Sequence, residues 1–244
     1  MHEELKRLRG VWNELGADDP LWAILSSPDK RGGRWDAEEF FAKGESEIAQ
    51  IEAHCVPLAR PRERRLAVDF GCGVGRLTRA LAARYAQAIG VDISPSMVEQ
   101  ARALNAQFSN LRFVENATPR LEFLADGSVD FLYSTLTLHH IPAPLQRAYI
   151  GEFLRVLAPE GFAVFQIASG YSNDWRGWVY RLLPNRLLAP LRRRVHASNV
   201  AADLHPLPEA HVNAIVAAAG RQVLQAFDIN SAGAGFRARL LLVG

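Results

Sequence analysis

The 244-residue chain is poor in cysteine, with two, and no run of it approaches the ~18 consecutive apolar residues that a membrane-spanning helix needs. Cys55 and Cys72 cannot build a disulfide framework, and neither stands in a metal-ligand spacing, which predicts two buried, reduced thiols and a cytoplasmic protein. No basic start joins an apolar core at the N-terminus, so a secretory leader is not expected. Charge is balanced, 28 basic against 26 acidic residues, which lacks the basic excess of a nucleic-acid binder. His2, His54, His196, His205 and His211 show no ligand spacing either, and no metal site is expected.

What the chain does have is an apolar run that breaks into glycine. Leu66 to Phe70 reads as a buried parallel strand, and Gly71-Cys72-Gly73-Val74-Gly75 as a sharp turn into a helix starting near Gly75. That turn is expected to offer a ligand backbone amides rather than side chains. A dinucleotide turn wants Gly-x-Gly-x-x-Gly; here the third glycine arrives one residue early and Arg76 holds its slot, which weakens a pyrophosphate reading. A second apolar run, Ala88 to Val91, ends at Asp92 about twenty residues on, where a strand-end carboxylate could accept hydrogen bonds from ribose hydroxyls. A ribose-bearing ligand without phosphates fits both observations.

Four segments in this order resemble the class I S-adenosylmethionine-dependent methyltransferases: Val68 to Gly75, Gly90 to Met97, Val129 to Pro142, and Arg155 to Gly161. The likeness covers roughly residues 65 to 170. It implies an α/β fold, a doubly wound Rossmann-like sheet of seven strands, mostly parallel with an antiparallel last strand, plus a helical cap. It also implies S-adenosylmethionine as cofactor, with S-adenosylhomocysteine as product. By resemblance, Gly71, Cys72, Gly73 and Gly75 let the backbone approach the methionyl part and Asp69 orients that end. Asp92 grips the ribose, Ile93 and Met97 sandwich the adenine, and Asn116, where the family usually has aspartate, contacts the adenine amino group. Ala117 and Ser134 complete the expected cofactor set. Plain packing for Met97, and a turn-capping role for Asn116, stay open as alternatives.

An oxygen or nitrogen acceptor that starts protonated needs a base, and His139 and His140, at the end of the fourth strand, are the histidines placed for it. His140 matches the family's recurring histidine. The implied reaction is methyl transfer to a small molecule, at oxygen, with an anionic or lipid-linked acceptor as an extension. An NAD-dependent oxidoreductase and a non-catalytic cofactor-binding or membrane-surface module are the rival classes.

The ends carry the cap. Residues 1–60 read as helices, with Leu5, Leu8, Val11, Trp12 and Leu15 at helical spacing, and Trp35, Phe40 and Phe41 as either pocket walls or anchors. Residues 61–244 form the expected methyltransferase domain, with 170–205 as an acceptor-side insertion or lid. Between Trp175 and Ala202 stand Arg176, Arg181, Arg186, Arg192, Arg193 and Arg194 without one acidic residue, while Pro184 and Pro190 exclude a single long helix. The cluster over 176–194 suits an anionic acceptor or peripheral contact with an anionic membrane, or is a solvated helix with its arginine stems laid along apolar surface.

Overall fold

The structure, a computed structural model, describes residues 1–183, 203–231, 233 and 235–244. Arg186, Arg192, Arg193 and Arg194, with both prolines of that stretch, lie outside the described residues.

Three N-terminal helices come first: α1 (His2–Asp18), α2 (Pro20–Ile24) and α3 (Ala37–Cys55). Asp19 starts α2 by accepting from the Trp22 amide, and Asp36 starts α3 by accepting from the Glu39 amide, each satisfying an orphan donor of the first turn. Then strand and helix alternate: β1 (Leu66–Phe70), α4 (Arg76–Ala82), β2 (Gln87–Asp92), α5 (Pro95–Leu104), β3 (Leu111–Glu115), β4 (Val129–Ser134), α6 (Ala143–Val156), β5 (Leu157–Tyr171). The chain closes with α7 (Trp175–Leu182), α8 (Glu209–Ala218), β6 (Val223–Ile229) and β7 (Phe236–Val243).

The seven strands form one sheet in the order β3-β2-β1-β4-β5-β7-β6. β1 to β5 pair in parallel, and β7 runs antiparallel between β5 and β6, as expected. The order reverses direction at β1 and β4, so the carboxyl ends of those strands open a crevice that the connecting loops cannot fill. Helices cover both faces, which is why β1, β4 and the middle of β5 are buried at successive residues rather than at alternate ones.

β5 starts early: Leu157 already pairs with Val129, and a bulge absorbs Pro159-Glu160 before pairing resumes at Phe162. α4 ends at Ala82, and Tyr85 buries itself from the following turn.

The N-terminal helices share the sheet's own core: Leu5 and Leu8 join the apolar cluster of Phe70, Val91 and Leu132. Trp35, Phe40 and Phe41 pack with Val74 and Met97 in a separate cluster and do not line the main cavity, so the anchoring alternative describes them. No described helix is long and apolar enough to cross a membrane.

Candidate active site

The glycine turn is tied down from inside. The Gly71 and Cys72 amides both donate to the Val91 carbonyl, at 2.7 and 3.0 Å, and the Gly73 amide donates to Asp92 Oδ2 at 2.8 Å. These three amides are therefore not offered to a ligand: they knit the end of β1 to the end of β2. The glycines are required for two other reasons. Gly71 and Gly73 sit at φ of 79° and 51°, the left-handed region that side chains rarely adopt. A β-carbon on Gly71 would stand 2.1 Å from Thr137 Oγ1, and one on Gly73 2.4 Å from Ile24 Cδ1. The turn is thus a bare surface pressed by the β4 loop on one side and by α2 on the other.

Asp92 occupies the junction. Oδ1 accepts from the Ser94 amide at 2.9 Å and Oδ2 from Gly73, so each oxygen keeps a lone pair for a further donor. Burial raises its pKa, opposed by the amides of Ser94, Gly73 and Ile93. Ser94 also caps α5, accepting from the Met97 amide at 3.2 Å, which fixes the acid at the sheet edge.

Above this junction lies a cavity of about 860 Å³. Gly71, Cys72, Gly73, Asp92, Ile93, Met97 and Asn116 line it, as do His139 and His140, so most of the expected cofactor set and both histidines share one space. Asp69, Gly75, Ala117 and Ser134 do not reach its walls. Asp69 lies beneath the turn, where the Thr78 hydroxyl donates to it at 2.7 Å; burial pushes its carboxyl up to about 7, against the pull of that hydroxyl and of Arg76. Ser134 donates to the Phe70 carbonyl at 2.9 Å, bracing β4 against β1. The Asn116 side chain is engaged locally, donating to the Thr118 carbonyl at 2.9 Å and accepting from the Thr118 hydroxyl at 3.2 Å, the turn-capping alternative.

Several wall residues lay beyond the sequence reading. Arg76, in the slot a third glycine would hold, is buried beside the turn and pairs with Glu47 at 2.9 Å; its Nε has no hydrogen-bond partner among the described residues. Leu136 lines the cavity at φ 55°, held there by the buried Gln166, whose Oε1 accepts from the Leu136 amide at 3.0 Å and from the Thr135 hydroxyl at 2.9 Å. A glutamine inside an otherwise apolar strand was the available signal. Trp22, Ile24 and Leu25 of α2 and its exit close the cofactor side, although α2 is too short for periodicity to mark a face.

The histidine pair lines the same cavity. Their rings stand 4.3 Å apart, and the Trp12 ring meets His140 edge-on at 5.1 Å. His140 Nδ1 lies 3.1 Å from the Asp203 carbonyl, which can only accept, so in the neutral ring Nδ1 carries the proton and Nε2 is the basic nitrogen. His139 is buried, its Nδ1 without a partner among the described residues, and burial followed by the neighbouring His140 holds its pKa well below the usual histidine range. Segment 203–207 fixes the pair: the His205 amide donates to the His139 carbonyl at 2.7 Å, and Arg7 of α1 binds Asp203 at 2.8 Å. No cluster of three or more metal-ligating side chains exists among the described residues.

A family described as "Methyltransferase domain" matches residues 67–161. The trans-aconitate 2-methyltransferase of Methylobacterium radiotolerans is 35% identical over 122 residues, covering 46% of this chain and 40% of that protein. The probable chloroplastic tocopherol O-methyltransferase of Oryza sativa subsp. japonica is 28% identical over 162 residues, covering 62% of this chain and 43% of that one. The chain thus spans less than half the length of these curated relatives. Among solved structures, the magnesium protoporphyrin IX methyltransferase of Synechocystis with bound S-adenosylhomocysteine covers 98% of both chains at a TM-score of 0.64 and 19% identity, a likeness of fold. Residues 67–161 thus match the methyltransferase-domain family, and the fold is shared with a solved methyltransferase that holds S-adenosylhomocysteine.

Proposed function

We propose that this protein transfers a methyl group from S-adenosylmethionine to an oxygen of an apolar small molecule. The observation that carries the reading is the one cavity that Asp92, the bare glycine turn and the His139–His140 pair line together. The donor set fits the cofactor: Asp92 keeps lone pairs for two ribose hydroxyls, Ile93 and Met97 flank the position of a flat base, and the unpartnered Nε of Arg76 suits the carboxylate of an amino acid. When bound, the cofactor supplies a methyl group on a sulfonium, whose departure leaves a neutral thioether.

The chain's own task is then to hold the acceptor in line, exclude water and remove one proton. His140 Nε2 is the base we assign: as the acceptor hydroxyl's oxygen bonds to the methyl carbon, its proton passes to Nε2, and Trp12 and the Asp203 carbonyl keep the ring in place. His139, held neutral by burial, packs behind it. Leu5, Leu8, Trp12 and Leu15, all on one face of α1, give the cavity an apolar wall, which favours a lipid-like or aromatic acceptor over a small dicarboxylate. In this reading residues 1–60 cover the site, and α7 with Leu204 forms part of its acceptor side. Two buried thiols fit a reducing compartment, hence the cytoplasm. The early third glycine and the match to the methyltransferase family disfavour NAD-dependent oxidoreduction.

The test is calorimetry with S-adenosylhomocysteine and NAD, followed by transfer of labelled methyl groups to lipid and aqueous extracts. Binding of the former alone and label in the lipid fraction are expected. With the labelled product in hand, His140→Ala should lower turnover by a factor of about 10² to 10⁴ while leaving S-adenosylhomocysteine affinity unchanged. Unaltered turnover would remove His140 as the base.

A further inference from the structure

Helix α7 has two apolar faces, and the fold buries only one of them. Gly177, Val179 and Tyr180 turn inward: Gly177 is buried, the Tyr180 ring packs on Phe236 at 4.8 Å, and Val179 and Tyr180 form part of the cavity wall, which Trp175 and Arg176 border at the start of the helix. Trp175, Trp178 and Leu182 follow at i, i+3 and i+7, which a helix sets on one side, and they are 70%, 54% and 72% exposed. With Leu183 they are four of the seven large exposed hydrophobic residues among those described. Arg176 and Arg181 lie over the Trp175 and Trp178 rings, at 5.3 and 5.2 Å. The acid beside this face, Asp174, is spent as the helix cap, accepting from the Gly177 amide at 2.8 Å.

We propose that this outer face docks on the surface of an anionic lipid bilayer. Tryptophan and leucine beside arginine suit the boundary where headgroup phosphates meet acyl chains, since indole rings settle there and guanidinium pairs with phosphate. With eight residues, α7 is far too short to span the bilayer, so it lies in the interface plane. Charge separates this occupant from the obvious rival. The described arginines of this face are Arg176 and Arg181, so two copies of it would set arginine against arginine, whereas an anionic membrane meets them with opposite charge. Because the inner face of the same helix walls the cavity, docking brings the cavity's acceptor side to the lipid. A bilayer-dissolved acceptor could then enter without crossing water, a consequence that rests on the methyl-transfer reading.

Co-sedimentation of the full chain with vesicles of phosphatidylcholine, with and without phosphatidylglycerol, tests the docking. Binding to the mixed vesicles that weakens with added salt is expected, with little binding to phosphatidylcholine alone. The double variant Trp178→Ser/Leu182→Ser, neither residue lining the cavity, should lose about tenfold in vesicle affinity with unchanged S-adenosylhomocysteine affinity and thermal midpoint. Should that variant fail to unfold cooperatively, Arg181→Gln and the blue shift of tryptophan emission on adding vesicles to the unaltered protein decide instead. Equal vesicle binding by the variants, no vesicle binding at all, or a dimer that the double variant breaks would overturn the proposal. Failure to bind S-adenosylhomocysteine would defeat the methyl-transfer reading and leave the vesicle result to judge the docking by itself.

Discussion

Asp92 and Asp69 are both carboxylates at the ends or middle of inner strands, and their surroundings give them opposite work. Asp92 faces the cavity with one amide on each oxygen, so its remaining lone pairs are available to a ligand. Asp92→Ala should weaken S-adenosylhomocysteine binding by about 1 to 3 kcal/mol, the scale of lost hydrogen bonds to a charged group, measured by calorimetry. Asp69 serves the fold. Its carboxyl, raised by burial from 3.8 to about 7, holds a proton in the folded chain that the unfolded chain gives up at lower pH. Its contribution to stability is therefore full below about pH 4 and lost as pH rises to about 7. Asp69→Asn should flatten that dependence, read as a smaller difference between denaturation midpoints at about pH 5 and about pH 8; an unchanged difference would mean that another group sets it.

At the scale of elements, the β1–α4 turn and the middle of α1 show why one glycine tolerates a side chain and another does not. Gly73→Ala meets Ile24 at 2.4 Å from a left-handed φ of 51° and should cost about 1 to 3 kcal/mol in urea unfolding, with weaker cofactor binding as α2 is pushed away. Gly10 sits inside α1 with nothing within 4 Å of an added β-carbon, so Gly10→Ala should stabilise by about 0.5 to 1 kcal/mol. The turn itself was legible from glycine spacing and from the acid that follows. What its amides do was not, because the partners that absorb them, Val91 and Asp92, come from the neighbouring strand, and strand pairing is a long-range property. Gln166 teaches the same lesson: its residue type marks it as unusual in a buried strand, but only the β4–β5 register shows that it holds Leu136 in its left-handed conformation.

For the molecule as a whole, α1 is attached by burial rather than by its ion pairs. Leu8 is 7% exposed and belongs to the main core, whereas the Arg7–Asp203 pair has an arginine side chain 54% exposed. Leu8→Ala should cost about 2 to 5 kcal/mol, because a cavity remains between helix and sheet. Arg7→Gln should cost about 0 to 1 kcal/mol, because water already screens the pair. Equal shifts in thermal midpoint for the two variants would mean that charge, not packing, anchors the helix over the site.

Alternating apolar runs, a glycine turn and a strand-end carboxylate were enough to expect a buried parallel sheet with a crevice at its carboxyl edge, and the family resemblance supplied the count of seven strands, because a parallel sheet is covered on both faces and opens where its strand order reverses. Tertiary structure alone decided which side chains face that opening. Trp12, forty or more residues from any strand, became the neighbour of His140, while Trp35 and Phe40 turned away into a cluster of their own. Helical spacing tells which residues share a face, and only packing tells what that face meets.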